Sequence, residues 1–199
     1  SLWEFFHQPP SKDRVLDCLR KLLACHAQRA RDVRAASVRV RDGRADPMPL
    51  LWIVSAGVPN GAMTALAFEP LRRWPAGYFA AKSFENLRLV VLSSLPRTRA
   101  TLLLRLLGAG LTLRQAIGEL AELPATAPER KMTRPNWRGL KLVTPQPPST
   151  SEESRMELSK KSYALIDKMI KEDDALRREE LIAEGIEKGI EKGIEKGIE

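Results

Sequence analysis

Leu50-Leu51-Trp52-Ile53-Val54 is an unbroken apolar run that follows Pro47 and Pro49 and precedes Ser55-Ala56-Gly57. A half-exposed strand would alternate apolar and polar residues. A continuous run instead fits a strand covered on both faces, as in a sheet with helices packed against it. Leu87 to Leu92 reads the same way and supplies a second buried strand. Two such strands separated by helical patterns predict an α/β fold: a small mixed sheet flanked by helices, followed by a charged helical tail.

Working outward, Ser1 to Phe6 carries Leu2, Trp3, Phe5 and Phe6 and reads as a strand whose upstream partners lie outside the chain. Pro9 and Pro10 end it, and Ser11 is placed to cap a helix. Val15, Leu16, Leu19, Leu22, Leu23 and His26 then recur at helical spacing, which predicts a helix from about Lys12 to Val33. Val38 and Val40 alternate with Arg39 and Arg41 ahead of Asp42-Gly43, the pattern of a short half-exposed strand. Beyond Gly57 and Pro59, Ala62 to Phe68 reads as a short helix and Gly77 to Ala81 as an edge strand. Leu102, Leu103, Leu106 and Leu107 make a helix that starts near Arg97 and stops at Gly108-Ala109-Gly110. Thr112 and Gln115 have capping-box spacing for the next helix, whose apolar face is Ala116, Ile117, Leu120 and Leu123 and which Pro124 and Pro128 close.

Residues 124–150 are rich in Pro, Thr and Arg with little periodicity and read as a linker. Thr150 and Glu153 form a second capping pair, and Met156, Tyr163, Ile166, Met169 and Ile170 continue as an amphipathic helix. That helix runs into a Gly-Ile-Glu-Lys repeat from Gly185 to Glu199. A four-residue period on a 3.6-residue helix rotates the Ile row by about 40° per repeat, so no straight seam forms. Each repeat glycine costs about 1 kcal/mol relative to alanine, and the repeat is expected to fray. The expected division is a domain over 1–123, a linker over 124–150 and the tail over 151–199.

Charge separates along the same division. Residues 1–150 hold 23 Lys+Arg against 11 Asp+Glu, whereas residues 151–199 hold 10 against 14. A basic domain favours a polyanionic partner, because neutralising phosphates releases counterions without any reading of sequence. Nucleic acid is therefore the expected partner. Ser1 to Pro10 lacks the basic start, apolar run and cleavage site of a signal peptide, and the apolar runs fall far short of the roughly 20 residues that span a bilayer. Cys18 and Cys25 lie about 10 Å apart along one predicted helix, too far for a disulfide. Two buried free thiols and a cytoplasmic location are expected.

Familiar catalytic signatures are missing from the sequence. Ser55-Ala56-Gly57 lacks the flanking glycines of a nucleophile elbow, and neither a phosphate loop nor a dinucleotide fingerprint occurs. His7 and His26 have no metal-ligand spacing with the cysteines and read as structural, while Asp42 and Asp46 around Gly43 read as turn residues. Arg72 and Arg73 beside Trp74, and Arg97 and Arg99 near a helix start, are the candidate nucleic-acid-binding residues, since guanidinium forks and free N–H groups can hold phosphate together. The same arginines also read as a solvated basic rim.

The strand Leu2-Trp3-Glu4-Phe5-Phe6, the long helix after it and the buried strand beyond are similar in order to the second half of the PD-(D/E)XK nuclease fold. They resemble in particular the Rpn group of recombination-promoting nucleases and putative transposases, whose motif strand reads apolar-Glu-x-Lys. Glu4 stands at the Glu and Phe6 where the Lys would be. The Gly-interrupted Glu/Lys tail is similar to tails in that group. The resemblance implies a magnesium ion held by an Asp and by Glu4, with a Lys orienting the attacking water. The Asp of that motif would lie upstream of Ser1, and Lys21 or Lys12 on the following helix is the candidate for a displaced ammonium. The expectation is a truncated or degenerate member, inactive as it stands, that contacts nucleic acid weakly. Two alternatives are an interaction module whose tail helix, through Tyr163, Ile166 and Ile170, pairs with a partner helix or a second copy, and a magnesium-dependent DNA endonuclease if an upstream segment supplies the Asp.

Overall fold

The computed structural model describes residues 1–36, 48–136 and 152–197, and they fall into two compact units, Ser1–Leu113 and Arg114–Glu199. The expected strand at Val38 to Arg41, the Asp42 and Asp46 turn and the Thr150 cap lie outside the described residues.

Unit 1 is built on a five-stranded mixed sheet of β1 (Leu2–Phe6), β2 (Leu51–Ser55), β3 (Phe68–Pro70), β4 (Tyr78–Ala81) and β5 (Leu87–Val91), in the order β1-β2-β5-β4-β3. β1, β2 and β5 run parallel, and β4 and β3 continue the sheet antiparallel. The α/β expectation holds, with helices α1 (Lys12–Ala36) and α2 (Asn60–Ala65) between β1 and β3. β2 and β5 are the interior parallel strands that their apolar runs predict, and Leu51, Ile53, Leu87, Leu89 and Val91 are almost fully buried on one face. α1 covers that face with Val15, Cys18, Leu19 and Leu22, spaced for a single helical stripe. Ser11 caps the helix as expected, its Oγ accepting from the Arg14 N–H at 3.3 Å.

Several local readings need correcting. β4 is not an edge strand, because β3 pairs along its outer side. The reading Ala62 to Phe68 as helix fails at its end, since α2 stops at Ala65 and Phe68 opens β3. The helix expected from Arg97 is a 3-10 turn, Arg99–Thr101, running into a short α3 (Leu102–Arg105). Thr112 does not cap the next helix, since α4 (Gly110–Glu122) begins two residues earlier. The capping box lies instead at Thr98 and Thr101, and Arg105, 1% exposed, donates from Nε to Thr101 Oγ1 at 3.4 Å and from Nη2 to Thr98 O at 3.3 Å. Cys18 is buried, but Cys25 is exposed.

Gly77 fixes the bend into β4. Its φ of +92° is one that L side chains rarely adopt, and an added Cβ would lie 3.0 Å from both Val91 O and Leu95 Cδ2. The Val91 N–H donates to Gly77 O at 2.8 Å, so this close approach joins the bend to β5.

In unit 2, the stretch read as linker holds a helix, α5 (Pro128–Thr133), followed by a 3-10 turn, Arg134–Asn136. The charged tail is one continuous helix, α6 (Glu152–Gly197), as its spacing predicts, and the repeat continues it. Ser162, Ile166, Met169 and Asp173 form its buried stripe. Arg130 of α5, 1% exposed, donates from Nη1 to Glu172 Oε2 at 2.8 Å and to Leu123 O at 3.2 Å, and its Nη2 lies 3.6 Å from Asp173 Oδ1. Arg134 Nε approaches the other Asp173 oxygen at 3.6 Å. Beyond this clamp Leu181, Ile182, Ile186, Ile190 and Ile194 are all exposed.

The clamp makes unit 2 sensitive to acid. The hydrogen bond from Arg130 is the main reason the Glu172 carboxyl lies below its ordinary value of 4.5. Such a carboxyl stabilises the fold above its unfolded value and ceases to do so as pH falls through the lower folded value. Helical ellipticity is expected to hold from neutral pH down to about 4.5 and to decline below it. The same titration of Glu172→Gln should show a flatter decline, and an unchanged acid curve would rule out this carboxyl as the cause.

Candidate functional site

β1 alternates, so Leu2, Glu4 and Phe6 point toward α1 and Trp3 and Phe5 point to the opposite face. Leu2 and Phe6 join the core under α1, which leaves Glu4 as the polar group on the inner side of this outer strand. α1 brings Lys21 across to it: Nζ donates to Glu4 Oε1 at 3.2 Å. The two sequence candidates for the nuclease-like site are thus brought together. The hydrogen bond with Glu4 is the main cause of a raised Lys21 pKa, so the ammonium form is favoured there. Cys18 lies one helical turn earlier, and burial, with the Glu4 charge adding to it, pushes its thiol up from 9.0 toward the neutral form.

The described residues do not fit a magnesium ion at Glu4. No group of three His, Cys, Asp or Glu is placed to hold a metal among them, and the carboxylate already faces an ammonium. Phe6 at the motif's Lys position is packed into the core and carries no charge. What Glu4 and Lys21 make is an ion pair at the β1 edge, with the lysine 62% and the glutamate 27% exposed.

The four candidate arginines fall in different settings. Arg72 and Arg73 occupy the turn after β3, closed by the Trp74 N–H donating to Leu71 O at 3.2 Å, and Arg73 takes a left-handed φ of 66°. Arg72 lines an open cavity of about 580 Å³ together with Trp52, Trp74, Lys82, Arg88 and Glu69. Arg97 and Arg99 are exposed around the Thr98 turn, outside the set that lines this cavity. Their expected role as a helix-start phosphate site is weakened, because the Thr98 N–H donates to Thr101 Oγ1 and the Thr101 N–H to Thr98 O.

The feature that sequence reasoning missed is aromatic. Trp3 and Trp52 stack at 5.3 Å with planes 10° apart, Trp74 leans on Trp52 at 5.7 Å, and Tyr78 follows Trp74 at 4.9 Å. Trp52 reads from sequence as an ordinary core residue. Its pairing with Trp3 follows only from the β1–β2 register, which places the two opposite each other. The signal in the sequence was that both tryptophans fall on the same parity of their strands once the polar partner Glu4 is assigned to the α1 side. Comparison of the chain with family models, with curated proteins and with solved structures returned no match.

Proposed function

We propose that this chain is a PD-(D/E)XK-nuclease-like protein of the Rpn kind that does not cut its ligand and contacts nucleic acid in the cytoplasm through its basic domain. The observation that carries the reading is the Lys21 ammonium seated 3.2 Å from Glu4 on the inner side of β1. An ammonium there neutralises the carboxylate that would otherwise attract a divalent ion, so positive charge is supplied by the protein itself. The β1-α1-β2 order with parallel pairing supports the family resemblance, and the excess of Lys and Arg in residues 1–150 supports a phosphate backbone as ligand.

Incubating the full chain with labelled duplex DNA and magnesium is expected to leave the DNA intact, and titrating the duplex at two salt concentrations should show affinity falling steeply with salt. Cleavage that disappears in Glu4→Ala would establish the endonuclease reading instead. Absence of salt-sensitive binding would remove the nucleic-acid reading.

A second reading is an interaction module working through α6: Ile166, expected to meet a partner, is instead buried within the chain, and the exposed apolar row is Ile182, Ile186, Ile190 and Ile194, each more than half exposed. The row winds about the helix by about 40° per repeat, so a partner would meet two or three successive isoleucines rather than a continuous seam. Sedimentation velocity is expected to show an oligomer that Ile186→Lys with Ile190→Lys dissociates, and a monomer in the unaltered chain at high concentration would exclude it.

A further inference from the structure

The second face of the sheet, away from α1, carries two rows of side chains that the pairing register defines. One row runs Trp3, Trp52, Arg88, Ala80 and Glu69 across β1, β2, β5, β4 and β3, and the other runs Phe5, Val54, Val90 and Tyr78 across the first four of these. Leu92, Leu95 and Leu104 pack on Val54 and Val90, so the middle of the second row is closed. The first row stays open. Ala80 is small, Trp3 is 49% exposed, and Trp74 swings over from the Leu71–Trp74 turn with 50% of its surface in solvent. Between Trp52, Trp74 and Arg88 lies the cavity of about 580 Å³, a size suited to a small organic group.

Indoles left half in water along an ordered stack are costly unless something covers them, because apolar surface gains free energy on leaving water. The charge around them selects what that is. Arg72, Lys82 and Arg88 border the cavity against Glu69 alone, and Glu69 is already in an ion pair with Lys82. The Arg88 guanidinium is held by Glu85 O at 2.5 Å and Leu87 O at 3.1 Å, which fixes it on the sheet beside Trp52. The basic domain of a second copy would bring like charge to this face, its acidic tail carries no aromatic ring other than Tyr163 to lay on the indoles, and an aliphatic partner would leave the guanidinium groups unused. A flat ring joined to an anion satisfies both features: the ring stacks on indole and the anion meets Arg72 or Arg88.

We propose that this face is a stacking site for unpaired bases of single-stranded nucleic acid, with Trp74 and Trp3 as platforms and Arg72 and Arg88 as phosphate contacts. The proposal rests on the nucleic-acid reading above and narrows it. Bases inside a duplex present only their edges, whereas an open tryptophan needs a base face. The site therefore prefers single strands and is indifferent to sequence, because every base has such a face. It lies on the opposite side of the sheet from Glu4 and Lys21, and it requires no metal and no bond cleavage.

Three probes of equal length tested on the full chain separate the terms: an oligothymidylate, the same backbone without bases, and a duplex. Three of the chain's four tryptophans lie in the stack, so intrinsic fluorescence reports its occupation. Oligothymidylate is expected to quench that fluorescence and to bind roughly 5- to 100-fold more tightly than the abasic strand. Trp74→Ala should bring oligothymidylate part of the way down to the abasic affinity, and Trp3→Ala added to it the rest, while both leave the abasic affinity unchanged. Arg72→Glu, on the exposed turn, should weaken both strands, and an unchanged thermal melt confirms that each variant is folded. Equal affinity for the abasic strand and oligothymidylate would overturn the stacking site and leave charge-based binding standing. Binding of none of the three would overturn both readings. Concentration-dependent association of the free chain that Trp74→Ala abolishes would assign the face to a second copy and overturn the proposal too.

Discussion

Replacing Asp173 with alanine is expected to destabilise unit 2 by about 3–5 kcal/mol, the range seen when one partner of a buried ion pair is removed. Asp173 is 3% exposed and both of its oxygens face guanidinium groups, Arg130 on one side and Arg134 on the other. Without it, Arg130 stays buried with only its Glu172 and carbonyl contacts, and its charge loses its most enclosed neighbour. Chemical denaturation followed by helical ellipticity measures the effect, with the neighbouring exposed Asp174→Ala as a control that should move stability by less than about 0.5 kcal/mol. The double change Arg130→Met with Asp173→Leu should cost less than either single change, because the two most enclosed charges are then removed together and only the part-exposed Arg134 and Glu172 lose a partner. Equal losses for Asp173→Ala and Asp174→Ala would show that the clamp contributes nothing.

In unit 1 the largest effect is expected at the central strand. Leu89→Ala on β5 should cost about 2–5 kcal/mol, through lost burial and the cavity left behind. Leu89 is 1% exposed and sits under α1 in one cluster with Ile53, Leu87 and Leu22. Leu23→Ala, on the same helix α1 but 52% exposed, is the matching control and should cost far less. Thermal melts of the two variants compare burial directly. Similar losses would mean that the cluster under α1 does not hold the sheet.

The sheet's parallel core was legible because buried strands leave a dense local record. Leu50 to Val54 and Leu87 to Leu92 carry it in consecutive residues, and α1 carries it in the spacing of Val15, Leu19 and Leu22. β3 left almost none, since it is three residues long and includes Pro70, and missing it turned β4 into an apparent edge. Arg130 was invisible for a different reason. Its acidic partner Glu172 lies 42 residues away in sequence, and ion pairs at that distance have no periodicity to read. Glu4 and Lys21, 17 residues apart, were nearer the limit, reachable because a helix that follows a strand folds back along it. The aromatic row is a product of register alone, for Trp3 and Trp52 meet only once β1 is known to lie beside β2.

The four-residue repeat on α6 sets the length of the outer helix in equal units. The side chains described from Arg177 onward are exposed, so adding or removing repeat units there would leave the arginine clamp at Glu172 and Asp173 undisturbed. Gain or loss of one Gly-Ile-Glu-Lys unit shifts the tip by about 6 Å and rotates it by about 40°. Each unit brings one acid and one base, so the increment is electrically silent. A change in the number of units would thus alter the extent and angular setting of the outer helix in fixed steps at constant net charge.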